Sequence, residues 1–410
     1  MIKNNQVKSN ALTSYQILLI VLFVFIIFTI VVDYMTLPAL SAILLEKLQI
    51  TTKEFGMIVS AYAFSAGISA FLAIGFSDRF DRKKLLLVYY GGFLLGMLLC
   101  ATANSFWSLI IARVISGAFG GVVAAIIFAM VADLFQDEQR GRVMGYVQMA
   151  FAASLIVGLP LALFLATHFN WRLSYWLFFG LGLVVLVFVF LKIKPVVTHL
   201  GHSSEVPFLH QTKKVLNSGN YWKVFLNNIF VVLGDAMFMT FSAAFATNNL
   251  GLKVDDLPII YGAGGLATIT LSPFIGRFCD SYGKLRVFSF GSALAIILIA
   301  VYSNLNTVPL WLVVLLHTLL FIGINARMIA STALATVVPD PRERGTFMAL
   351  DSSLQQVAGG IAATAAGWIV FQSEDGMIHG FSTLGWTVIG AMTLTLFLMY
   401  SIQKMVERRK

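Results

Sequence analysis

Six ionisable side chains stand inside long apolar runs: Asp33, Arg113, Asp235, His317, Arg327 and Asp351. An Asp or Arg at the centre of a membrane helix costs about 2.5–3.5 kcal/mol on insertion scales. Such residues are therefore expected to face water or one another. A carboxylate in a partly dry cavity can take a proton from one side of a barrier and release it to the other, because desolvation disfavours its charged form. Asp33 and Asp235 are thus candidates for proton coupling or substrate binding. The plain alternative for both is a permanent ion pair or a hydrogen bond to a nearby hydroxyl. Arg113 either snorkels toward the boundary or pairs with Asp33. Arg327 and Asp351 are expected at similar depth, where they either neutralise each other or take part in function. His317 reads as a hydrogen-bonded polar residue.

The elements that carry these groups follow from composition. Hydrophobic residues make up 59% of the 410 positions and charged residues 11%, against about 25% charged in a soluble domain. The charges cluster between apolar runs long enough to cross a bilayer core as helices, which takes about 20 residues. Twelve spans are predicted, near 16–40, 55–76, 85–103, 106–133, 143–166, 173–193, 223–247, 257–276, 287–304, 308–335, 346–371 and 380–402. The expected fold is an all-α membrane protein. The first run is too long for the apolar region of a signal peptide.

A net charge of +9 invites a nucleic-acid reading, which its distribution excludes. With the N-terminus inside, 22 of the 28 basic residues fall in cytoplasmic segments, only Lys47, Lys53, Arg172 and Lys253 fall outside, and Arg113 and Arg327 lie within spans. That is the positive-inside pattern of a multi-pass cell-membrane protein with both termini cytoplasmic. Cys100 and Cys279 are placed near opposite faces of the membrane, too far apart for a disulfide. No GxxxxGK[ST] phosphate loop and no His-Glu-x-x-His zinc site occurs, so neither cofactor nor metal is expected, and the chain does not read as an enzyme.

The chain repeats. Asp78 to Arg82 after span two is matched by Asp280 to Lys284 after span eight, 202 positions later, and Asp33 by Asp235 at the same offset. Arg140-Gly141 is matched by Arg344-Gly345, 204 positions later. Two pseudo-symmetric six-helix bundles in one orientation follow, a secondary-transporter pattern. Their expected bounds are 1–193 and 221–410, joined by a polar cytoplasmic linker at 194–220. Its His199, His202 and His210 lack carboxylate or thiolate company and read as a solvated loop rather than a metal site. Internal duplication suits rocking halves better than a channel assembled from several chains, so a monomer is expected.

The loop Gly75-Phe-Ser-Asp-Arg-Phe-Asp-Arg-Lys-Lys84 resembles the signature of the major facilitator superfamily, Gly-x-x-x-Asp-Arg-x-Gly-Arg-Arg/Lys. Asp78, Arg79, Arg82 and Lys83 fall on its charged positions, whereas Asp81 replaces the second glycine and Gly75 stands one step late. The second copy keeps Gly276, Asp280, Gly283 and Lys284 without the Asp-Arg pair. Arg113, Gly117 and Gly121 are similar to the superfamily's Arg-x-x-x-Gly-x-x-x-Gly pattern in span four. Gly158-Leu-Pro160 followed by Asn170-Trp-Arg172 resembles the twelve-span drug and sugar exporters, without the stricter Gly-Pro antiporter signature. Asp33 lies in Asp-Tyr-Met-Thr-Leu-Pro38, similar to the Asp-Met-x-x-Pro context of some proton-coupled multidrug exporters.

The resemblance implies alternating access, spans one and seven beside a central cavity, and a cytoplasmic gate built from Asp78 and Arg82 with Asp133 as partner. Gly117 and Gly121 lie one turn apart on one face and suit close helix packing. Gly158 and Pro160 let span five bend. The expectation is a secondary transporter in the bilayer, coupling protons to export of a small amphipathic or cationic solute. Uptake, and sugars, nucleosides, siderophores or lipids as cargo, stay open.

Overall fold

The computed structural model describes residues 12–74, 79–197, 208–340 and 343–408. The expected spans are helices: α1 (Ser14–Ala39), α3 (Thr52–Ala73), α4 (Arg82–Thr102), α5 (Phe106–Leu134), α6 (Asp137–Ala153) continuing through a π turn into α7 (Leu159–His168), and α8 (Trp171–Lys192) form the first six. The last six are α10 (Gly219–Asn248), α11 (Leu257–Tyr282), α12 (Lys284–Tyr302), α13 (Leu310–Ala335), α14 (Arg344–Ile369) and α15 (Phe381–Glu407). Short helices α2 (Ser41–Lys47) and α9 (Phe208–Leu216) lie between spans. Local chemistry sets several starts: Thr13 with Gln16, and Thr51 with Glu54, form reciprocal capping boxes at α1 and α3, satisfying N–H groups the first turn leaves open.

Among the described residues eleven spans are apolar enough to cross a membrane by composition. The twelfth, α14, is as long as α1 but carries Asp351, Ser353 and Gln355. It is buried against α3 and α10, so its polar groups need not face lipid. A two-residue hairpin, Phe371–Gln372 with Ile378–His379, is the small departure from an all-helical chain. The Asn249 side chain binds it by both amide ends, donating to Ile378 O at 2.9 Å and accepting from Ile378 N at 2.9 Å.

The spans alternate in direction, giving one face with the start of α1 and the end of α15 (the terminal side) and an opposite far side. Contacts between the first and last six helices concentrate toward the far side. There Thr52 donates to Val370 O at 2.6 Å, Ala244 N donates to Ser41 Oγ at 3.2 Å, and Phe55 meets Phe241 with ring centroids 5.6 Å apart. A Cβ at Gly56 would stand 2.6 Å from Ala363 O. By contrast, nothing lies within 4 Å of a Cβ at Gly145 or Gly345 on the terminal side.

The expected linker contains a short helix. Residues 208–216 form α9, and α10 begins at Gly219. His199 and His202 lie outside the described residues. Cys100 and Cys279 are both free and buried.

Candidate functional site

Two buried ion pairs occupy the bilayer region, one in each set of six helices. In the first, Arg113 Nη1 of α5 donates to Asp33 Oδ2 of α1 at 2.8 Å, with both side chains essentially inaccessible. The guanidinium lies 4.4 Å from the centre of the Tyr62 ring, a contact that a desolvated cation strengthens. Of the two open readings of Arg113, pairing is what the fold provides. Asp33 Oδ1 and Arg113 Nε have no protein partner.

The second pair joins Arg327 of α13 to Asp235 of α10, Nη1 to Oδ1 at 2.7 Å. Arg327 also donates to Ser292 Oγ at 3.1 Å and Thr395 Oγ1 at 3.3 Å. The expected neighbour of Arg327, Asp351, is elsewhere. On α13 the residue level with Asp351 is Ser331, one turn from Arg327, and that turn separates the two polar layers. Asp351 is buried and accepts from Asn228 Nδ2 at 3.1 and 2.8 Å and from Gln355 Nε2 at 2.8 Å. Asn228 Oδ1 in turn accepts from Ser331 Oγ at 2.6 Å, and Ser331 Oγ accepts from Asn227 Nδ2 at 2.8 Å.

Asn227, Asn228, Ser331 and Gln355 were not singled out from the sequence. Their signal was present in α10. Tyr221, Asn228, Asp235 and Ser242 recur every seven residues, a spacing of about 10.5 Å that returns to nearly the same helix face. Each meets a polar partner: Tyr221 donates to Glu343 at 2.7 Å, and Ser242 Oγ lies 3.3 Å from His317 Nε2. His317 is thus the hydrogen-bonded polar residue expected.

A family model described as Major Facilitator Superfamily matches residues 22–363, and again 224–405. The chain belongs to the Major Facilitator Superfamily. An uncharacterized transporter of this superfamily from Bacillus subtilis, YbcL, is 23% identical over 357 residues, covering 86% of this chain and 88% of the relative. The quinolone resistance protein NorA of Staphylococcus aureus is 21% identical over 288 residues, 68% of this chain and 72% of the relative. Among solved structures, the nucleoside transporter NupG superposes with a TM-score of 0.74 at 11% identity, covering 94% of this chain and 99% of that one. The fold is the all-α membrane fold of the superfamily, and its members are secondary transporters rather than enzymes.

In the superfamily loop, Asp78 lies outside the described residues. Arg82 is buried and its Nε stands 3.3 Å from Asp133 Oδ2, so the two outer members of the expected gate meet. Arg79 is exposed. Lys83 Nζ donates to Phe190 O at 2.8 Å, which ties the loop to the end of α8. Asp81, where the superfamily has glycine, caps α4 by accepting from Lys83 N at 2.9 Å and also accepts from Val196 N at 2.9 Å. In the second loop Asp280 is exposed and Lys284 half-buried, and no ion pair joins them among the described residues.

The glycines have close neighbours. A Cβ at Gly117 would stand 2.3 Å from Tyr62 O, and one at Gly121 2.7 Å from the Ala66 backbone, so α5 reaches the backbone of α3. Pro160 cannot donate to the carbonyl four residues back, and the helix widens into a π turn over Ser154–Gly158 just before it. Leu155 O in that turn would be 2.8 Å from a Cβ at Gly265 of α11. The irregular turn sits where span five crosses to the other half.

Proposed function

We propose that this superfamily transporter couples proton movement to export of amphipathic, drug-like compounds, as a monomer in the inner cell membrane. Carboxylates buried within spans carry the reading: Asp33 and Asp235 sit in the helices expected to flank the cavity and Asp351 in α14, and ionisable groups held inside a membrane at such cost mark ion or substrate paths. Arg113 and Arg327, each paired to one of these acids, complete the buried charged set. Similarity to NorA, whose name records quinolone resistance, supports export of drug-like cargo. The concentration of basic residues in the terminal-side segments supports a cytoplasmic terminal side, with both termini there. The moving units are 1–193 and 221–410, with 194–220 as linker.

The test is efflux of a lipophilic cation such as ethidium from proteoliposomes, with and without an imposed pH gradient. Gradient-dependent flux is expected, and flux indifferent to the gradient overturns proton coupling. The terminal-side gate is assigned to Asp78, Arg79, Arg82, Lys83 and Asp133, with Asp280 and Lys284 as its weaker second copy, and Gly158 with Pro160 as the hinge. Asp78→Asn is expected to lower turnover more than binding, and normal turnover in that variant removes the gate.

A further inference from the structure

The three buried carboxylates differ in what a proton would leave behind. Protonating Asp33 strands Arg113, and protonating Asp235 strands Arg327, each a buried guanidinium. Removing one partner of a buried pair is strongly destabilising, because the other charge is left uncompensated. Among the described residues Asp351 has no cation within ion-pair distance. Its partners are the neutral amides of Asn228 and Gln355.

Among the described residues no charged group on a packed element contacts Asp351; Arg344 stands about two turns away on α14 and Lys223 beyond Asn228 on α10. α10 offers Asn227 and Asn228, and α13 offers Ser331, while Arg327 one turn away is committed to Asp235. α14 offers Gln355, and its Glu343, about two turns away, is held by Lys214 and Tyr221. α3 reaches this stretch of α14 through Gly67, whose carbonyl accepts from Ser353 Oγ at 2.7 Å. α9 and α15 also pack on α14, and no charged group of either contacts Asp351 among the described residues. The network also holds a spare acceptor: Asn227 Oδ1 is buried and has no protein partner.

We infer that Asp351 is the group that binds the transported proton, while Asp33 and Asp235 stay ionised in their arginine pairs throughout the cycle. The inference rests on the proton-coupled reading above. As a carboxylate, Asp351 accepts two amide groups. As an acid it gains one O–H donor, and the amides rearrange around it with Asn227 Oδ1 available as an acceptor, so no charge is orphaned in either state. Two residues on, Ser353 donates across the seam to α3 of the other half. A change in the Asp351 layer therefore falls on the turn of α14 that the opposing half grips, which gives proton binding a physical route to rocking.

Infrared difference spectra of the purified protein in lipid, recorded across a pH titration, read the group directly. The carbonyl stretch of a buried protonated acid is expected in the parent protein and in Asp33→Asn and Asp235→Asn, and it is expected to be lost in Asp351→Asn. Persistence of that band in Asp351→Asn overturns the inference. Should Asp351→Asn not fold, Asp351→Glu decides: a shifted band supports the assignment and an unshifted one overturns it. The spectra do not depend on transport, so a parent protein without gradient-driven ethidium flux would refute proton coupling while leaving the proton-binding group to the infrared result.

Discussion

Helices α1 and α10 occupy matching places in the two halves, yet they are built differently at positions 202 apart. Where α10 has Tyr221, Asn228, Asp235 and Ser242, α1 has Leu19, Ile26 and Asp33, with Leu40 one residue past its end. At the offset of 204 that relates Arg344 to Arg140, the position of Asp351 is matched by Val147, and that of Gln355 by Phe151. At these positions α1 therefore holds one charge pair among apolar residues, while α10 holds a stack of polar layers. An isolated buried carboxylate in apolar packing has one way to be compensated, and Arg113 supplies it. In the second half, hydroxyls and amides share the work, so a proton can come and go without leaving a bare charge. The two halves share a frame and differ at heptad-spaced positions of one helix, so that only the second sets a layer of neutral polar groups beside a buried acid.

The largest effect should come from breaking the charge pairs. Arg113→Met leaves Asp33 buried without a partner, and a loss of about 3–5 kcal/mol is expected. Arg327→Met should cost less, because the Asp235 side chain is 12% accessible against 0% for Asp33. Thermal unfolding in detergent reads both, and Asp33→Asn added to Arg113→Met should recover most of the loss. A costlier Arg327→Met would reverse the contrast between the halves.

Glycine replacements give a smaller effect and sharpen the comparison. Gly121 of α5 and Gly323 of α13 are 202 apart. An added Cβ meets the Ala66 backbone at 2.7 Å in the first and Gly291 O at 3.0 Å in the second. Overpacking of this kind costs about 1–3 kcal/mol. Gly121→Ala is expected in the upper part of that range and Gly323→Ala in the lower, again by thermal unfolding. Gly145→Ala, with open space around it, is the control and should cost nothing.

Apolar runs and basic loops made the twelve spans legible, since length and charge sign are local properties. The Asp33–Arg113 pair was also within reach, because both residues lie at comparable distances from the far ends of their helices. Arg327 was assigned the wrong neighbour because depth along α13 and α14 differs by one turn, and a boundary error of a few residues exceeds that. The Asn227–Asn228–Ser331 layer was missed for another reason. Neutral polar residues are individually unremarkable in a membrane helix, and only the heptad recurrence on α10, read with its partners, gives them meaning. Asp81 shows a departure from a family pattern with its own local cause, since it caps α4 and holds Val196.

The smallest effect concerns how each half grips the linker. The first half holds Val196 through backbone contacts, to Asp81 Oδ1 at 2.9 Å and from Arg82 N at 3.2 Å. The second half holds α9 through a side-chain pair, Lys214 Nζ to Glu343 Oε1 at 2.5 Å. The hydrogen bond from Lys214, then that from Tyr221, holds the Glu343 carboxyl below its ordinary value of 4.5. The same bond to Glu343 holds Lys214 above its ordinary 10.5. A depressed acid contributes stability above its unfolded pKa and loses it as pH falls through the folded value. A raised base contributes below its unfolded pKa and loses it as pH rises through the folded value. The pair should therefore hold α9 evenly across neutral pH and release it only in acid below 4.5 or in base above 10.5. Lys214 is exposed, so water screens the pair and the gain is slight. Amide hydrogen exchange over 208–216 should quicken modestly in Lys214→Gln at neutral pH, with 193–197 unchanged. Equal loosening of both segments would mean that the linker is gripped as one unit, and that the two halves do not differ in how they hold it.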